Sequence, residues 1–175
     1  MWAFECFHEV FKKAPAVLFT DDGSSIAAAF AKMTGPHCYW ADTKHLLCVF
    51  HIAKNVHKHC RGVFKDSQSW KEFYSLFWKI AKETDKNSHH TWSQDWEQLH
   101  ELIAQSSQAS TKKDDAIEWL ESLGERKQQW AARYTWASLT YLIHSTQRAE
   151  AINAAIKEKK VKANMNGKAL VKGIP

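Results

Sequence analysis

Two short apolar runs, Ala16–Thr20 and His45–Phe50, constrain this chain more than any other feature of it. Each reads as a strand and each runs directly into a helical pattern, Ser24–Met33 after the first and His51–Val56 after the second. Strand, helix, strand, helix predicts a parallel or mixed sheet, because parallel neighbours need a crossover between them. Gly35-Pro36 breaks the chain between the first helix and the second strand.

On either side of this unit the periodicity is helical. Phe4, Phe7 and Phe11, widened by Cys6 and Val10, predict a helix over 2–13 that Pro15 ends. Beyond Ser67 three apolar faces follow: Trp70, Phe73, Phe77 and Ile80; then Trp92, Trp96, Leu99 and Ile103; then Ile117, Leu120 and Leu123. Polar linkers at 85–88 and 105–113 separate them, and no strand pattern interrupts them. Residues 67–133 therefore read either as an all-helical insertion or as the helices at the end of a larger α+β domain. A last helical pattern begins near Ser145 and Thr146, both good N-caps, and continues through Ala151, Ile152, Ala154, Ala155 and Ile156.

Composition bounds the class. With 175 residues, 45% hydrophobic and 25% charged, the chain is expected to form one globular domain, or one domain carrying an insertion. No apolar run approaches the length of a membrane span, and the first residues lack the basic and apolar regions of a signal peptide. Seven of the nine tryptophans lie between Trp70 and Trp136, which predicts a separate aromatic core there. Cys6, Cys38, Cys48 and Cys60 are scattered, with no Cys-x-x-Cys, which fits a reducing compartment better than a disulfide framework. The net charge of +5, concentrated in a tail rich in lysine, favours an anionic partner, although such tails are usually just solvated.

Chemistry is expected first at Val17-Leu18-Phe19-Thr20-Asp21-Asp22-Gly23, where an apolar strand ends in two carboxylates. Ligands of open α/β sheets sit beyond the carboxyl ends of strands, so Asp21 suits a metal ligand or an acid/base group. It equally suits an N-cap of the following helix, a role open also to Asp22 and Ser24. The second candidate is Cys48-Val49-Phe50-His51, with His57, His59 and Cys60 behind it. Four such ligands could hold zinc, but the spacing matches no zinc pattern, and a buried Cys followed by a surface His is the plainer reading. The third is Ser145-Thr146-Gln147-Arg148-Ala149-Glu150: Glu150 suits a first helical turn through the helix dipole, and Arg148 suits phosphate or a carboxylate.

Taken in order, Thr20-Asp21 with Ile26 and Phe30, then His45-x-Leu47-Cys48-x-x-His51-Ile52-x-x-Asn55, then Ser145-Thr146-Gln147-Arg148-x-Glu150-x-x-Asn153 resemble the transposase domain of Mutator-like elements, a family that includes the plant far-red-response proteins derived from such transposases. The resemblance covers roughly residues 2–156 and is loose in the helical middle. It implies an α/β fold, an RNase H-like domain truncated at its N-terminus and interrupted by an all-helical insertion. Residues 1–66 would be the first part of the core, 67–133 the insertion, 134–158 the final helix of the core and 159–175 a basic tail. By matching position, Asp21 would be the second and Glu150 the third acid of a metal-binding triad. Cys48 and His51 would be the Cys-x-x-His signature, with His51 assisting near the DNA, and Asn55 and Arg148 occupy further matching positions.

The resemblance also implies a chemistry. Cleavage and transfer of DNA strands would use two Mg²⁺ ions, which stabilise the entering and leaving oxygens and prefer carboxylate ligands; zinc is not expected. The family's first acid lies on a strand ahead of a helix like 2–13, and neither Asp22 nor Asp42 occupies that place. The expectation is therefore an incomplete site and weak or absent catalysis. Lys54, Lys58, Arg61 and Arg148, with the lysine tail, are the expected DNA contacts. Transposon-end DNA as partner, a nuclear location, self-association of the full-length protein and no membrane partner complete the reading. The alternative is a transposase-derived transcriptional regulator that associates with DNA without cutting it.

Overall fold

The computed structural model describes residues 2–34, 38, 40–84, 92–106 and 110–138. All of them belong to one compact unit, and the fold is a mostly helical α/β arrangement with a small parallel sheet.

Helix α1, Trp2–Phe11, stops earlier than the predicted 2–13. Lys12 turns left-handed at φ 53° and its N–H donates to His8 O at 2.9 Å, so the helix is closed three residues before Pro15. Strand β1, Val17–Thr20, leads to helix α2, Ser24–Met33, and then to strand β2, Lys44–Leu47. The two strands pair in parallel, Val17 with Lys44 through Thr20 with Leu47, as the strand–helix–strand order predicts. The start of β2 is fixed by Thr43 Oγ1, which donates to Pro15 O at 2.8 Å, and by Lys44 N–H, which donates to Ala16 O at 2.9 Å.

The second strand is shorter than the apolar run His45–Phe50. Cys48 N–H still donates to Thr20 O at 2.8 Å, but Cys48 O already accepts from Ile52 N–H at 3.0 Å. Helix α3, Val49–Cys60, thus begins inside the run, with Cys48 as its N-cap. The physical reason is burial: Val49, Ile52, Ala53, Val56 and Cys60 form one continuous buried face, so the first turn of this helix must be as apolar as the strand before it.

A single 3₁₀ turn, Arg61–Val63, leads to helices α4, Ser67–Lys82, α5, Trp92–Ala104, and α6, Ser110–Glu125. Asp66 caps α4, accepting from Ser69 N–H at 2.7 Å. Helix α6 begins within the predicted 105–113 linker, and Lys113 on its first turns donates through Nζ to Ala104 O at the end of α5. Two short helices, α7, Lys127–Trp130, and α8, Ala132–Thr135, have no counterpart in the sequence reading, since four residues are too few to show a period.

The helical faces bury as their spacing predicts. Phe73, Phe77 and Ile80 of α4, Leu99 and Ile103 of α5, and Leu120 and Leu123 of α6 are each at most 2% exposed. The aromatic core is not a separate one, however. Ile52, Val56 and Cys60 of α3 lie in the same cluster as Phe73, Phe77, Trp92 and Trp130, because the apolar face of α3 packs on both α4 and α6. Trp130 Nε1 donates to Leu123 O at 3.1 Å, which satisfies the indole inside this core.

Candidate functional site

The carboxyl ends of β1 and β2 lie side by side, so Asp21 and Cys48 leave the sheet at the same edge. Three residues there have separate tasks. Gly23, at φ −87° and ψ 126°, is the N-cap of α2, and no side chain caps that helix. Its carbonyl accepts from Ile26 and Ala27 N–H at 3.1 and 3.0 Å. The capping role open to Asp21, Asp22 and Ser24 is therefore taken by none of them.

Asp22 is held in a two-pronged ion pair with Arg126, between α6 and α7: Nη1 approaches Oδ1 and Nη2 lies 3.3 Å from Oδ2. This fork-to-fork geometry fixes the turn against the helical part of the fold. Sequence reasoning missed Arg126, which lies in the α6–α7 turn outside any motif and 104 positions from its partner.

Asp21 is exposed, and among the described residues its carboxylate has no hydrogen-bond or ion-pair partner. A Cβ at position 23 would stand 3.2 Å from Asp21 Oδ1, so the glycine leaves room for this carboxylate.

The sheet behind the carboxylates is braced by His45. Thr20 Oγ1 donates to Asp21 O at 2.8 Å, and His45 Nε2 lies 2.8 Å from the same hydroxyl. The hydroxyl has one proton, already committed, so the imidazole donates through Nε2–H. Phe30 covers the ring at a centroid distance of 4.5 Å. Burial pushes the imidazole below its ordinary pKa of 6.5, opposed by the nearby charge of Asp22.

The Cys/His residues do not gather. Cys48 and Cys60 are buried at opposite ends of α3, and burial pushes the Cys60 thiol up to about 12. His51 is half-buried in the first turn of α3, with Asn55 one turn further on. His57 meets the edge of Trp70 at 5.3 Å, and His59 stacks on Trp119 at 4.6 Å. Among the described residues no group of three or more His, Cys, Asp or Glu side chains is placed to hold a metal ion. Asp21 offers one hard oxygen ligand of the kind Mg²⁺ takes, and Glu150 and Arg148 lie outside the described residues.

Lys54 and Lys58 are exposed on α3 and Arg61 is half-buried at its end. No helix among the described residues is long and apolar enough to cross a membrane. Comparison of the chain with models of known families, with curated proteins and with solved structures finds no match.

Proposed function

We propose that this chain is part of the catalytic domain of a transposase of the Mutator-like type, with an RNase H-like core that acts on DNA through divalent metal. One observation carries the reading. At the carboxyl end of a parallel strand pair, Asp22 is taken by Arg126 and Gly23 caps the helix, while Asp21 stays exposed and unengaged. A carboxylate kept out of structural duties at that edge suits a metal ligand.

In this reading Asp21 would be a ligand of a divalent cation, as the resemblance implies for Glu150 as well, and the bound cation would stabilise charge on a phosphoryl oxygen and activate water. The Asp22–Arg126 pair holds the turn in place, and Gly23 gives the Asp21 carboxylate its room. His51, in the first turn of α3, stands on the element that leaves the sheet at the same edge. A DNA-associated regulator without catalysis is the second reading, favoured by the basic surface of α3, which needs no metal to bind a polyanion.

The test is a double-mutant cycle on Mn²⁺ affinity, with Mn²⁺ as a paramagnetic stand-in for Mg²⁺. Asp21→Asn and Glu150→Gln are each expected to remove most of the affinity, and the double variant to be no worse than either single one. Independent, additive effects, or none, would reject a shared site. The same cycle separates the two readings, since the regulator needs no shared metal site, whereas the missing first acid leaves weak or absent nicking of transposon-end DNA as the expectation for this chain under either one.

A further inference from the structure

Between α5 and α6 lies an open cleft of about 560 Å³, the size of a ligand pocket rather than of a packing gap. Its two walls differ in chemistry. On α5, Trp92, Trp96 and His100 follow one another at four-residue spacing and line the cleft as a row of rings. On α6, Glu121 and Glu125 line it one turn apart, and both are exposed. Gly124 lines it too, and a Cβ there would come within 2.9 Å of Trp96 Nε1. The glycine therefore lets the indole of Trp96 lie close against the acidic helix.

The two carboxylates are unanswered. From Asp114 to Glu125 the chain has five Asp or Glu and no Lys, Arg or His, although its net charge is +5. Among the described residues neither Glu121 nor Glu125 has a hydrogen-bond or ion-pair partner. Like charges at i and i+4 destabilise a helix unless a cation sits between them. Lys127 lines the same cleft but is directed to rings, with Nζ 5.7 Å from the centroids of both Trp92 and Tyr134.

Trp92 thus receives a cation from the chain itself, and Trp96 does not. Trp96 is half-buried, and its ring contacts are Trp92 at 5.0 Å, Trp130 at 6.0 Å and His100 at 6.2 Å. A half-exposed indole beside two free carboxylates suits a planar cation. The ring attracts charge over its face, and the carboxylates accept the N–H groups at its edge. The smaller cleft of about 260 Å³ between the start of α4 and the end of α5 lacks this combination, because its acids are engaged: Asp66 accepts from Ser69 N–H and Glu72 from Gln68.

We infer that the α5–α6 cleft binds an arginine side chain presented by a partner polypeptide. The guanidinium stacks on Trp96 and donates to Glu121 and Glu125. Arginine is favoured over lysine because its plane stacks on an indole and its five donors serve two carboxylates at once, whereas an ammonium is a strongly hydrated point charge. A polypeptide is favoured over a free cation because the cleft is far larger than a guanidinium and has room for the backbone on either side. The inference is independent of the transposase-type reading and uses neither Asp21 nor the basic residues of α3.

The test uses the full chain, isotope-labelled for NMR, and three short peptides with blocked ends. Each has one central residue between glycines: arginine, lysine or citrulline. Citrulline keeps the shape of arginine and removes its charge. The arginine peptide is expected to shift the Trp96 indole N–H and the Gly124 amide saturably, with Kd on the order of 1 mM for a single side chain. The lysine peptide should bind about three- to tenfold more weakly, and the citrulline peptide should give no saturable shift. Glu121→Gln/Glu125→Gln keeps the size of both side chains and should weaken the arginine peptide on the order of tenfold. Trp96→Phe keeps a ring in place and should cost about two- to fivefold, followed at the Gly124 amide.

Equal binding of the citrulline peptide would overturn the inference, as would an unchanged affinity in the double glutamine variant. So would a lysine peptide that binds as well as the arginine peptide, or shifts confined to residues outside the cleft. The amide spectrum reports the fold of each variant in the same experiment, so a loss of binding is separated from a loss of structure. The Mn²⁺ affinity proposed for Asp21 should be the same in the double glutamine variant and the parent. Failure of the metal site therefore leaves this cleft standing, and failure of the cleft leaves the metal site standing.

Discussion

Burial and hydrogen bonding give His45 a consequence that can be measured as a function of pH. Its imidazole is neutral, donates through Nε2 to Thr20 Oγ1, and is held below the ordinary pKa of 6.5 by burial. In the unfolded chain the same ring titrates near 6.5, so below that pH the unfolded state binds more protons than the folded one. Stability is then fully present above about pH 6.5 and declines as pH falls from there through the lowered folded pKa. His59, lowered by burial and by the charge of Lys58, acts in the same direction. The His45→Gln variant keeps an N–H donor and cannot titrate. Urea midpoints at pH 7.5 and 5.5 are expected to fall less for this variant than for the parent. Parallel profiles would mean that the ring accepts a proton without cost in the folded state.

At the level of elements, α6 meets α5 through Gly124, where a Cβ would stand 2.9 Å from Trp96 Nε1 and 3.1 Å from Cε2. The indole cannot simply step aside, because it packs on Trp92 at 5.0 Å and lies 6.0 Å from Trp130. Gly124→Ala therefore sets two effects against each other. Alanine gains about 1 kcal/mol of helix propensity, and overpacking costs about 1–3 kcal/mol. A net loss of about 1 kcal/mol in denaturant unfolding is expected; a gain of that size would show that the rings repack freely.

This contact was not legible in the sequence, and the reason is general to the fold. A period reveals which face of a helix is buried, as it did for Phe73, Phe77 and Ile80 on α4. It does not reveal which helix answers that face, so α3 was not expected within the aromatic core. The same limit hid the start of α3, since Val49 and Phe50 are apolar in either a strand or a buried helical turn. Asp21 was legible because a strand ending in an acid is a local pattern. That Asp22 pairs with Arg126, and Gly23 caps, depended on groups far along the chain or on backbone geometry.

For the molecule as a whole, the question is whether the strands and the helices 67–133 stand or fall together. A two-stranded sheet is marginal alone. Here Leu47 at the end of β2 belongs to the same buried cluster as Ile52, Phe73, Leu99 and Leu120. Helix α3 is the connection: its first residue follows the sheet edge by one position, and its buried face reaches α4 and α6. Leu120 is fully buried, and Leu120→Ala is expected to cost about 2–5 kcal/mol through lost contacts and the cavity left behind. If one core supports the unit, that loss is shared. Amide exchange should then accelerate by the same factor at Leu99–Ile103, at Ile52–Val56 and at Phe19–Thr20, wherever exchange requires global opening. Faster exchange at Leu99–Ile103 with Ile52–Val56 unchanged would instead divide the core between α3 and the later helices. In the shared case the Asp21 edge depends on packing far from it, and substitutions deep among the tryptophans should weaken the divalent metal binding proposed for that edge by depopulating the folded state, without touching a carboxylate.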